Sequence, residues 1–152
     1  MLRVIEAVRA AADTPEAGNH DVFKLYWELG SRIHHDGDRD FDVADALAAV
    51  GLDTAHAAAA DDESWDAVIR EGMDAGLALT GQDVGTPIIA TENSSGQTVG
   101  YFGPVITKIP PTEQSVAMWD ALMAMMDVDG FFELKKTRTE GPNPGDRPAP
   151  IE

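Results

Sequence analysis

Gly81-Gln82-Asp83-Val84-Gly85-Thr86-Pro87-Ile88-Ile89-Ala90-Thr91 is the stretch at which the chain changes character. Everything before Gly81 carries helical periodicity, and from Gly85 the pattern becomes that of a sheet. Residues 86–91 read as a strand, with a proline tolerated at its first position because no ladder hydrogen bond is needed from it there. Glu92 to Gln97 is rich in Asn, Ser and Gly and reads as a turn. Thr98-Val99-Gly100-Tyr101-Phe102 is a second strand, so the two form a hairpin that Gly103-Pro104 ends.

Upstream, residues 2–12 form an amphipathic helix, closed by the turn signals Asp13-Thr14-Pro15 and Gly18-Asn19. A second helix is expected from about His20 to Ile33, with Val22/Phe23, Tyr26/Trp27 and Ile33 as its apolar stripe. Core packing is the expected role of Tyr26 and Trp27. Asp36-Gly37-Asp38 breaks that helix. Val43 to Val50 and Thr54 to Ala60 are short helices, and a longer one runs from about Ser64 to Leu79, capped by Asp61 or Asp62 and stopped by Gly81. Its expected inner face is Trp65, Val68/Ile69, Gly72/Met73 and Gly76/Leu77. Downstream, Thr112 to Met126 is a final helix with Val116, Trp119, Leu122/Met123 and Met126 inward. Asp127 to Thr139 is a short helical or turn segment that must bury Phe131, Phe132 and Leu134. The Pro/Gly-rich tail from Gly141 reads as disordered.

Composition narrows the function classes. The 152 residues carry 11 Lys and Arg against 27 Asp and Glu, a formal charge of −16. Such a chain repels phosphate backbones and anionic membrane surfaces, so neither nucleic acid nor membrane is an expected partner. No run of apolar residues is long enough for a transmembrane helix. Charges interrupt the first nine residues, so they do not form a signal peptide, and a cytoplasmic location is expected. Without a secretion signal, Asn93-Ser94-Ser95 is a turn and not a glycosylation site. The sequence has no cysteine, which excludes disulfides, thiolate metal sites and a Cys nucleophile in these residues.

His34-His35-Asp36-Gly37-Asp38-Arg39-Asp40-Phe41-Asp42 invites a calcium-loop reading but fails it. Glycine stands second after Asp36 instead of sixth, and the twelfth position is Leu47. Alternating Asp in a loop that caps the next helix is the better account, and no metal site is expected. No Gly-x-Ser-x-Gly elbow, phosphate-binding loop or dinucleotide fingerprint occurs.

Many helices and one hairpin make an odd layering, because an isolated hairpin is marginal and leaves both edges open. Something should pair with one of those edges. The order long helix, Val-Gly-Thr-Pro, strand, turn, strand, helix resembles the second half of a thioredoxin-like fold. More specifically, the chain resembles the DsbA-like family, and within it the actinobacterial mycothiol-dependent reductases. The resemblance rests on Gly30-Ser31-Arg32-Ile33-His34, Gly72-Met73-Asp74-Ala75, residues 81–87, Tyr101-Phe102-Gly103-Pro104-Val105, Lys108-Ile109-Pro110, Trp119-Asp120 and residues 131–140.

That resemblance implies an α/β fold class, mostly helical as present: the C-terminal part of a thioredoxin-like fold with a DsbA-type helical insert, two antiparallel strands and about six helices. Residues 1–62 would be the helical insert, 63–140 the C-terminal half of the thioredoxin-like domain, and 141–152 a disordered tail. It implies a cis bond before Pro87. It also implies a cofactor- or substrate-facing site at Val84, Gly85, Thr86 and Pro87, with His34 bordering the cleft. The cofactor of a complete member would be mycothiol or a similar low-molecular-weight thiol, and its partner that thiol or a thiol-linked substrate.

The departure from the family pattern is the absence of the strand and Cys-x-x-Cys segment, whose helix N-terminus stabilises the reactive thiolate. Met1 falls near the start of the insert, so the expectation is an N-terminally truncated oxidoreductase, inactive alone. The alternative expectation is a stand-alone binding protein that covers strand 87–91 by forming a homodimer or by docking on another polypeptide; a third is a split protein whose separately made N-terminal half restores the sheet in trans.

Overall fold

The computed structural model describes residues 1–151. The chain groups into two units, one of residues 1–71 with 145–151 and one of residues 72–144.

The first unit begins with α1 (Leu2–Ala11), whose Val4, Ile5, Ala7 and Val8 are buried on one stripe. Residues 12–14 turn the chain into α2 (Pro15–Ser31). The sequence reading ended α1 at this turn but delayed the second helix to His20. Thr14 explains the earlier start: its side-chain oxygen accepts the Ala17 N–H at 3.2 Å, and Pro15 takes the first helical position, where no N–H is required. Gly18 and Asn19 therefore lie inside α2, and Gly18 is buried. A Cβ on Gly18 would sit 2.6 Å from the Arg9 carbonyl oxygen, so α1 and α2 touch backbone to backbone there.

A second correction concerns which face of α2 is inward. Leu25 and Leu29 are buried with Val22 packed against the core, whereas Phe23 and Tyr26 are exposed, Tyr26 at 65 %. Positions 18, 22, 25 and 29 are spaced as regularly as the aromatic stripe is. Periodicity cannot rank two such faces; the close approach at Gly18 decides between them. A single wide turn, Arg32–Asp36, follows and closes on Gly37 at φ 71°. Asp42 then caps α3 (Val43–Ala49) by accepting the Ala44 N–H at 2.8 Å, in line with the helix-cap account of the Asp-rich loop. Ala46 and Leu47 of α3 complete the core with Ala59, from a 3₁₀ segment over Thr54–Asp61.

Arg3 joins α1 to the first turn of α4 (Asp66–Thr80) through two contacts with Asp66, at 2.7 and 2.9 Å. The Arg3 guanidinium holds the Asp66 carboxyl below its ordinary range. The folded state therefore favours the ionised form. Its contribution is present above the unfolded pKa of about 4 and lost as pH falls through the lower folded value. Acidification below about pH 4 is expected to destabilise the wild-type chain more than Asp66→Asn, measured as urea midpoints at a series of pH values. Parallel losses in the two proteins would remove the pair from the acid response.

The second unit holds the rest of α4, β1 (Ile88–Glu92), β2 (Thr98–Phe102) and α5 (Thr112–Met126). The strands form an antiparallel sheet with Ile88 opposite Phe102 and Glu92 opposite Thr98. Asn93 builds the turn: its side-chain oxygen accepts the N–H groups of Ser95 and Gln97, at 3.0 and 2.9 Å, and Gly96 supplies φ 75°. The Ser94 N–H donates to Asp127 at 2.6 Å, tying the turn to the end of α5 and holding that carboxyl below its ordinary range.

Little of this unit is buried. Met126 is inward as expected, but Val116, Trp119, Phe132 and Leu134, also expected inward, are exposed, Phe132 at 87 %. Of the stripe expected on α4, Met73 is exposed in this unit; in the first unit Val68 is exposed while Trp65, just before the helix, packs against the core. A two-stranded sheet with two helices offers too few covering layers for that many apolar side chains. No helix among the described residues is long and apolar enough to cross a membrane.

Candidate functional site

The segment between α4 and β1 is irregular, opening with Gly81 at φ 86° after its N–H has closed on the Leu77 carbonyl at 2.8 Å. Val84 is half-buried, while Gly85, Thr86 and Pro87 are exposed. The Thr86-Pro87 peptide is cis. Pro87 lacks an N–H, so β1 begins only at Ile88, two residues later than the sequence pattern placed the strand. The Pro87 carbonyl accepts the Gly103 N–H at 2.8 Å, which anchors the loop to the far end of β2.

Gly103, read from sequence only as a strand stop, is the residue that holds the Thr86-Pro87 loop against the end of β2. It is buried, has φ 107°, and precedes a second cis peptide, Gly103-Pro104. The signal that could have found it is the hairpin register: once Asn93 pairs with Gln97, residue 103 must fall opposite Pro87.

The same register determines the edges. Bonded pairs alternate along an antiparallel ladder, and the Pro87–Gly103 and Asn93–Gln97 bonds define the phase. Ile89 and Thr91 therefore direct their backbone groups toward β2, and Ile88, Ala90 and Glu92 direct theirs to the opposite edge. Among the described residues no third strand joins that edge. The loop thus presents an exposed Thr86-Pro87 at the head of a strand with three residues of unpaired backbone donors and acceptors. Such an edge is a template for an incoming strand.

Behind β2, Gly100 meets the Leu79 side chain: a Cβ there would lie 2.7 Å from Leu79 Cβ, so α4 packs directly on the sheet. The Tyr101 hydroxyl donates to the Phe131 carbonyl, and their rings lie 5.7 Å apart. An open basin within this unit is lined by Val84, Tyr101, Phe102, Pro104, Ile106 and Phe131 among others, and Thr86 and Pro87 lie outside its lining.

His34, the remaining sequence-derived candidate, belongs to the first unit, in the wide turn Arg32–Asp36, and is exposed. Thr86 and Pro87 belong to the second unit. Near His34, Arg32 pairs with Glu28 at 2.7 Å and lies 5.3 Å over the Phe41 ring, so its turn is held from both sides. No cluster of three His, Asp or Glu side chains able to hold a metal occurs among the described residues.

A family model described as Rv2466c-like, mycothiol-dependent nitroreductase Rv2466c, matches residues 2–136. The match runs from α1 through the hairpin and α5 to the segment that contains Phe131.

Proposed function

The chain belongs to the Rv2466c-like family, and from that membership we propose that it serves a mycothiol-dependent reductase of DsbA-like, thioredoxin-type fold as its non-thiol part. The observation that carries this reading is a family match over residues 2–136 in a sequence without cysteine. Reduction through a thiol cofactor needs a thiolate to form and break the mixed disulfide. These residues hold none, so the thiolate comes from residues outside this sequence, either elsewhere in the polypeptide or on a second one. What the chain supplies is the surface around it. Thr86 and Pro87, with Val84 and Gly85 leading in, would orient the mixed disulfide; His34, on the first unit, would be a separate contact for the thiol cofactor. The open edge at Ile88, Ala90 and Glu92 would receive the strand that leads to the reactive cysteine. The exposed apolar side chains of the second unit support this, since they are the surface such an addition would cover.

Alone, the 152-residue chain is expected to reduce a nitroaromatic probe with mycothiol no faster than the protein-free mixture. Material purified from its native cells is expected to contain titratable thiol, by extra mass in the same chain or by a co-purifying polypeptide, and to turn the probe over. Turnover by the cysteine-free chain alone would overturn the reading. Native material with neither thiol nor activity would do the same.

A further inference from the structure

The C-terminal residues of this acidic chain run across α2, where three kinds of contact converge. The Trp27 indole N–H donates to the Ala149 carbonyl at 3.0 Å. Arg147 Nε reaches both carboxylate oxygens of Asp36, at 2.9 and 3.1 Å. Its Nη2 lies 3.8 Å from Glu28 Oε2. Phe23 stands against Trp27 with ring centroids 5.8 Å apart, so the two aromatic rings form one patch on the helix. These are the residues that periodicity assigned to the core and that the fold leaves at least partly outside it.

We propose that Phe23, Trp27, Glu28 and Asp36 form a recognition site for a short proline-rich segment bearing an arginine, which this chain fills with its own Arg147-Pro148-Ala149-Pro150-Ile151. The chemistry of the segment matches the site. A chain with alternating prolines favours an extended helix with three residues per turn and no internal hydrogen bonds, so its carbonyls are free to accept from an indole N–H. Pro148 and Ile151 are the half-buried residues of the segment, three apart as that period requires. Arg147 is the only cation after Arg138, and it meets two carboxylates in a chain of net charge −16. Aromatic rings with a donor at their edge, next to acidic side chains, are how proline-rich ligands carrying a basic residue are read.

The contacts are exposed, and exposed ion pairs are individually weak. The tail is therefore held mainly by being tethered, which gives it a high effective concentration at the site. This site stands independently of the reductase reading, since it uses no residue of the Thr86-Pro87 loop and no thiol.

The test reads the indole N–H resonances of the three tryptophans in the isotope-labelled full chain, with Trp27 assigned by Trp27→Phe. Arg147→Glu places a carboxylate against Glu28 and Asp36. It is expected to shift the Trp27 indole signal and speed its hydrogen exchange, while Trp65 and Trp119 stay in place and report an intact fold. Added synthetic peptide of residues 145–152 is then expected to return the Trp27 signal toward its wild-type position in the Arg147→Glu chain. The same peptide with glutamate for arginine should not. A Trp27 signal unmoved by Arg147→Glu overturns the proposal, as does a shift that the peptide leaves unchanged.

Discussion

Leu25→Ala is expected to lower the stability of the first unit by about 3 kcal/mol, within the usual range of roughly 2–5 for a buried leucine. Leu25 has no exposed surface, and it packs in one cluster with Val4, Val8, Leu29, Ala46 and Leu47. Removing its isobutyl group loses the transfer free energy and leaves a cavity between helices that cannot close. Their separation is set by the backbone contact at Gly18. For a unit of this size the melting point should fall by about 12–24 °C. Phe132→Ala is the matched control. It removes more apolar surface, but from a side chain 87 % exposed, so a change within about 0.5 kcal/mol is expected. Urea unfolding of the isolated chain measures both. A large cost at Phe132 would mean that this ring is covered in solution, and the second unit would then hold more core than its fold provides.

The contrast between the two units also sets how much of the molecule could be read from residues. Where structure is local, the reading is close. β2 and α5 begin and end where their patterns do, because Asn93, Gly96 and Pro111 decide those boundaries within a few residues. α2 was misread because two of its faces are regular. Val22 packs inward as expected, but Phe23 and Tyr26 are heavier than Leu25 and Leu29, and only the approach of α1 makes the leucine face the inner one. Trp119 and Phe132 were assigned to a core on the premise that large apolar residues find cover. That premise needs layers, and a hairpin with two helices lacks them. At the candidate site, the cis bond before Pro87 was legible, though only through the resemblance to thioredoxin-like proteins and not from the local residue pattern. The part played by Gly103 was not, since it depends on the long-range register between strands.

Gly18 and Gly30 test the backbone contact that governs the first unit, because they share α2 and differ in surroundings. A Cβ at Gly18 would lie 2.6 Å from the Arg9 carbonyl oxygen and 3.4 Å from Arg9 C and Cα, all backbone atoms that no rotamer change can move. Gly18→Ala therefore forces α1 and α2 apart along the stripe where Val4, Val8 and Leu25 meet. Overpacking of that kind costs typically 1–3 kcal/mol, and here it should fall near the upper end, about 3, offset by roughly 1 kcal/mol of helix propensity. A net loss of about 2 kcal/mol is expected. Gly30 has no atom within 4 Å of where its Cβ would go. Gly30→Ala should give only the gain from a less flexible unfolded chain, roughly 0.5–1 kcal/mol. The same chemical change in one helix is thus expected to have opposite signs at two positions, read as opposite shifts of the thermal midpoint. If both alanines stabilise, α1 and α2 stand further apart than a glycine contact requires. The choice of the Leu25 face over the Phe23 face would then need another cause.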